Sequence, residues 1–129
     1  VVEKLDSCIS EIARVLKHGG HCVLDLGNSQ SLNALCVRQH PDWAQLNGST
    51  VSDMEELLAL NSLEVVSWRS FQILPLWADR PRWLAPLLLP GWKKLLQRRL
   101  NGRMLDEYAS SLPVIQRYAF RHLVVCRKR

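Results

Sequence analysis

Ile9-Ser10-Glu11-Ile12-Ala13-Arg14-Val15-Leu16-Lys17-His18-Gly19-Gly20, followed after His21 by Cys22-Val23-Leu24-Asp25-Leu26, is the stretch on which the fold turns. From Leu5 to Leu16 the apolar residues Leu5, Cys8, Ile9, Ile12, Val15 and Leu16 recur at three- and four-residue spacing, with Glu3, Lys4, Asp6, Glu11 and Arg14 off that stripe. Such spacing predicts an amphipathic helix. Lys17 and His18 bring cations to the negative end of its dipole, and Gly19-Gly20 supplies a left-handed stop. The apolar run from Cys22 to Leu26 then predicts a short strand covered on both faces. Gly27-Asn28-Ser29 turns the chain, and either Asn28 or Ser29 is suited to cap a second helix carrying Leu32, Leu35 and Cys36.

Beyond a loop from His40 to Thr50, onto which Trp43 and Leu46 are expected to tuck, Ser52-Asp53-Met54-Glu55 has the spacing of a capping box. A third helix is expected from Asp53 to about Leu60, with Asn61 as its left-handed terminator. Leu63 to Ile73, rich in Val, Trp, Phe and Ile, predicts a strand, as does Tyr118 to Cys126, which ends in the basic tail Arg127-Lys128-Arg129. The stretch 75–117 between them reads as an insertion. It holds Pro75, Pro81, Pro86, Pro90 and Pro113, three of the five tryptophans, and an amphipathic helix with Trp92, Leu95, Leu96 and Leu100 on one side. Lys93, Lys94, Gln97, Arg98 and Arg99 occupy the rest of that helix, which Gly102 follows.

At 129 residues and 47% hydrophobic content, the chain suffices for one domain with a core. A net charge of +5 with 22% charged residues excludes a disordered or histone-like polymer. The longest apolar stretch, Leu84 to Leu89, is broken by Pro86, and no charged-then-apolar leader precedes it; a soluble, cytoplasmic protein is expected. Cys8, Cys22, Cys36 and Cys126 form no C-x-x-C pair and lie in apolar-periodic segments, which suggests reduced, buried thiols. His18, His21, His40 and His122 add no ligand-pair spacing, so no metal site is expected. The chain opens Val-Val inside what reads as a structured segment, as though excised from something longer.

The segment Ile9 to Gly20 followed by Cys22-Val23-Leu24 is similar to the "L-x-E-I-x-R-V-L-K-P-G-G" signature that precedes the fifth strand in class I S-adenosylmethionine-dependent methyltransferases, with His18 at the usual Pro. Val1-Val2-Glu3-Lys4-Leu5 resembles that family's "V-x-E-H-L" stretch, with Lys4 where His is common. Glu56-Leu57-Leu58 through Leu63-Glu64-Val65-Val66 resembles "E-L-L…G-F-E-V-V", with Ser62 at the usual Gly, and His122 to Lys128 resembles the closing seventh strand. The likeness covers residues 1–74 and 118–129. Leu24-Asp25-Leu26-Gly27-Asn28-Ser29 is not the family's methyl-donor loop, because Ser29 and Ser31 stand at its second and third glycine positions. Six further strands would also have to fit the remaining ~100 residues.

The resemblance implies an α/β fold: the C-terminal half of a Rossmann-like sheet, contributing strands five, six and seven, with the last strand antiparallel and inserted between the other two. It implies S-adenosylmethionine as cofactor of the parent protein, with the main donor loop in a missing N-terminal half, so that this chain alone is inactive. At the carboxyl edge of the strands it places Glu3 and Lys4 beside the cofactor, and Asp25 and Asn28 beside the substrate. Asp25 is then a general base or substrate acceptor; the other reading is that Asp25 and Asn28 cap the turn. The insertion is a candidate substrate lid, with Trp77, Trp83 and Trp92 walling an apolar acceptor and Arg80 and Arg82 meeting an anionic group. The helix Trp92 to Leu100 is also suited to a membrane surface, and equally to plain packing. The alternative function is a non-catalytic basic module for an anionic membrane or nucleic acid, using Lys93, Lys94, Arg98, Arg99 and Arg103. Nucleic acid is disfavoured, since the aromatic residues are not interleaved with the basic ones. Besides the missing half, a second copy paired along the exposed sheet edge is an expected partner.

Overall fold

The computed structural model describes residues 2–42, 48–75 and 79–129. Helix α1 (Val2–Val15) leads into strand β1 (His21–Gly27), helices α2 (Leu32–Arg38) and α3 (Val51–Leu60), and strand β2 (Leu63–Phe71). The insertion follows: a 3-10 helix (Arg82–Leu88), α4 (Pro90–Leu96), the hairpin β3 (Arg99–Leu100) and β4 (Arg103–Met104), and the short helices α5 (Leu105–Ser110) and α6 (Pro113–Gln116). Strand β5 (Arg121–Lys128) closes the chain. The result is a small mixed α/β domain.

The three long strands form one sheet in the order β1-β5-β2. β5 is antiparallel to both neighbours, with Cys22 opposite Cys126 on one side and Ser70 opposite His122 on the other, so β1 and β2 run parallel to each other. The last strand therefore lies between the other two, as expected. The core sits on one face of the sheet, where Ile9 and Ala13 of α1 and Met54 and Leu58 of α3 pack on Leu24, Leu26, Leu63, Val124 and Cys126. β1 was expected to be covered on both faces. Its burial instead alternates, and Val23 is 63% exposed, because the opposite face is covered mainly near β2, by α5.

The two glycines between α1 and β1 do different work. Gly19 has φ +76°, a left-handed conformation that L side chains disfavour, while a Cβ on Gly20 would lie 2.8 Å from the Lys17 carbonyl oxygen. Arg127 and Lys128 belong to β5 rather than to a solvated tail: the Lys128 ammonium donates to the carbonyls of Ala13 (2.6 Å) and Leu16 (2.9 Å), capping the end of α1. α1 itself starts three residues before the expected Leu5, taking Glu3 and Lys4 into its first turn.

Other boundaries shift for local reasons. α2 is capped by Ser31, whose Oγ accepts from Ala34 N, rather than by Asn28 or Ser29. α3 uses Thr50 and Asp53 as its reciprocal box, two residues earlier than Ser52 and Glu55. Asn61 ends α3 at φ −94°, and the left-handed residue is Ser62 at φ 58°. Since Ser62 adopts a backbone that glycine adopts without strain, Ser62→Gly is expected to stabilise the fold by about 0.5–1 kcal/mol, read as a raised urea midpoint. Destabilisation by that substitution would contradict this reading of the turn.

The predicted helix to Leu100 stops at Leu96. Asn101 and Gly102 both have positive φ (51° and 81°) and turn β3 into β4, which is the backbone an Asn-Gly two-residue hairpin requires. β2 ends at Phe71, two residues short of the expected Ile73, and β5 starts at Arg121 rather than Tyr118. β2 also carries a bulge at Val66, between Val65 and Ser67, which blunts its outer edge. Among the described residues the outer edge of β1 meets only a parallel bridge from Asn28 to Ser49. The expected packing of Trp43 and Leu46 lies outside the described residues. No helix among the described residues is long and apolar enough to cross a membrane.

Candidate functional site

Because β1 and β2 run the same way on either side of β5, their carboxyl ends lie at one edge of the sheet beside the start of β5. A cleft of about 280 Å³ opens there. Phe71, Leu74 and Pro75 at the end of β2, Leu96 of α4 and Met104 of β4 give it apolar walls, and Gln72, Lys93, Gln97, Asp106 and Arg121 give it a polar rim.

Its floor is fixed by hydrogen bonds. Gln72 takes a left-handed backbone at φ 65°, and the Asp106 carboxylate accepts from the backbone N–H of Gln72 and of Ile73 (3.0 Å). One residue on, Glu107 accepts from Arg69 Nε at 2.6 Å, tying α5 to β2. Arg121, on the rim, pairs with Asp25 on the adjacent strand, donating from Nε to Oδ1 at 3.1 Å and from Nη2 to Oδ2. All three carboxylates, Asp106, Glu107 and Asp25, are engaged, so the arrangement suits binding of an apolar molecule with a polar end more than proton transfer.

His122, next to Arg121 on β5, is fully buried. Its Nδ1 accepts from the Trp68 indole N–H (3.0 Å) and stands 2.9 Å from Ser70 Oγ. Burial lowers its pKa to about 4, so the ring is neutral near pH 7. Burial likewise pushes the Cys126 thiol up to about 11 and raises the thiols of Cys22 and Cys36. Cys8, expected to be buried, is exposed, because it sits on the solvent side of α1. Among the described residues, no three His, Cys, Asp or Glu side chains gather as a metal site.

The residues singled out from sequence fall in different places. Asp25 is half-exposed and ion-paired to Arg121. Asn28 is buried, and its amide group is committed internally: Nδ2 donates to the carbonyls of Arg117 (2.7 Å) and Ala119 (2.9 Å), while Oδ1 accepts from Gln30 N (3.0 Å). Lys4 is exposed on α1, and Glu3 lies in the same helix. Trp83, Trp92 and Arg80 are exposed on the insertion, outside the cleft lining, and Trp77 lies outside the described residues. Cleft residues that sequence reading missed are Phe71, Gln72, Met104 and Asp106. The only available signal was the Asn101-Gly102 turn, which folds Met104 and Asp106 back toward β2. Comparison with protein-family models and with curated proteins gives no match.

Proposed function

We propose that this chain is the C-terminal part of a class I S-adenosylmethionine-dependent methyltransferase and contributes the acceptor side of its active site. The observation that carries the reading is the sheet order: a final antiparallel strand lying between two parallel ones, entered from the Gly19-Gly20 stop. The left-handed Ser62 supports it, since this is where the family has glycine.

The described residues do not fit the methyl donor. The turn after β1 is filled by its own chain: Ser29 N donates to Ser49 O (3.2 Å), a Cβ on Gly48 would stand 3.3 Å from Ser29 N, and Asn28 is spent on Arg117 and Ala119. In this reading the donor is held by a separate half of the fold, whose strand pairs along the outer edge of β1; lacking that half, a second copy is the natural substitute. What these residues do is bind and orient. Phe71, Leu74, Leu96 and Met104 exclude water from an apolar acceptor, Lys93 and Gln97 meet its polar end, and the Asp106 clamp holds the wall in place.

The reading predicts that the coding sequence continues upstream into a "D-x-G-x-G-x-G" loop roughly 80 to 100 residues before Val1. It also predicts, by calorimetric titration, that the longer product binds S-adenosylmethionine while residues 1–129 alone do not. Tight donor binding by residues 1–129, or none by the longer product, would sink it.

A further inference from the structure

The insertion presents a second surface, distinct from the cleft. In α4, Lys93 and Leu96 turn toward the cleft, which leaves Trp92 and Leu95, one helical turn apart, on the solvent side. The 3-10 helix packed beside it buries Leu84 and leaves Trp83 60% and Leu87 40% exposed, and Leu89 at the joint of the two helices is 56% exposed. Two tryptophans and three leucines on adjoining short helices exceed what scattered surface apolar residues account for.

The charge around them is one-sided. From Arg80 to Leu105 the sequence holds seven basic residues (Arg80, Arg82, Lys93, Lys94, Arg98, Arg99 and Arg103) and no acidic one. Arg103 is paired with Glu107, whereas Lys94, Arg98 and Arg99 are exposed, and aromatic and leucine side chains beside such cations complement an anionic bilayer, where indole rings settle at headgroup depth and lysine and arginine meet lipid phosphates. A protein partner of ordinary surface would not call for this excess of one sign. We infer that the Trp83, Leu87, Leu89, Trp92 and Leu95 surface seats the protein on an anionic lipid membrane, with Lys94, Arg98 and Arg99 in the headgroup layer. The inference does not depend on methyl transfer; it rests on exposure and charge alone.

Co-sedimentation with vesicles tests it. The protein is expected to bind phosphatidylcholine vesicles containing about one third phosphatidylserine, with a blue shift of tryptophan emission, and to leave pure phosphatidylcholine largely unbound. Each cation near the surface contributes about fivefold in affinity, so Lys94→Glu with Arg98→Glu is expected to weaken binding at least about twentyfold, and raising the salt from ~0.1 to ~0.5 M to weaken it further. Trp83→Ser with Trp92→Ser is expected to cost about tenfold while leaving the circular dichroism spectrum of the folded protein unchanged, because at least half of each side chain is exposed. Trp92→Phe retains most of the binding. Equal binding to neutral and anionic vesicles, insensitivity to both double variants, or tighter binding to a single-stranded oligonucleotide than to the anionic vesicles would overturn the inference.

Discussion

Asn28→Ala is expected to destabilise the fold by about 2–4 kcal/mol. The side chain is buried, and its amide joins the turn after β1 to the carbonyls of Arg117 and Ala119, about ninety residues away along the chain. Removing it leaves those carbonyls without the amide donors that now satisfy them, as well as the donor at Gln30 N. Asn28→Asp is expected to cost at least as much, since a carboxylate would face two carbonyl oxygens where the amide now donates. Urea unfolding checks both. A loss below about 0.5 kcal/mol for the alanine variant would mean that the anchor contributes nothing.

The second large effect is on pH dependence. His122 titrates near 4 in the folded state against 6.5 when unperturbed, so between those values the unfolded chain binds the proton that the folded one refuses. Stability therefore rises with pH through this window: it is full above about 6.5 and falls as pH drops toward 4, a change of about 3 kcal/mol for a fully buried ring. The paired or capping carboxylates Glu11, Glu64 and Asp53 have lowered pKa values, so their loss comes at the acid end of the window or below it. His122→Gln keeps an acceptor for Trp68 and removes the titration. Unfolding midpoints measured from pH 4 to 7 are expected to slope in the parent and flatten in the variant; an unchanged slope would place the charge elsewhere.

What could be read from sequence was what local pattern determines. The α1 stripe, the paired glycines and the apolar run of β1 are each set by residues within a few positions of one another, and they appear in the structure in that order. The capping box lies two residues earlier because Thr50-x-x-Asp53 and Ser52-x-x-Glu55 overlap within the same six residues, and the helix uses the first. Asn28 looked like a cap since nothing near it in sequence announces a partner at 117 or 119. The cleft was missed for a similar reason: the stripe of Trp92, Leu95, Leu96 and Leu100 does not reveal which of its members meets the body, and tertiary packing turned Leu96, with Lys93, inward. The spacing of Leu100 fits a helix, although Asn101-Gly102 next to it carries a stronger hairpin signal.

The proposed function depends on the terminal strand lying between β1 and β2, and proton NMR tests that directly. In the antiparallel register Val23 faces Val125 and Trp68 faces Val124, so both pairs are expected to show strong Hα–Hα nuclear Overhauser effects within a single species. Observing both supports the inserted strand and the methyltransferase reading built on it. Contacts joining β1 directly to β2, or the loss of either set so that β5 lies at an edge, would contradict it.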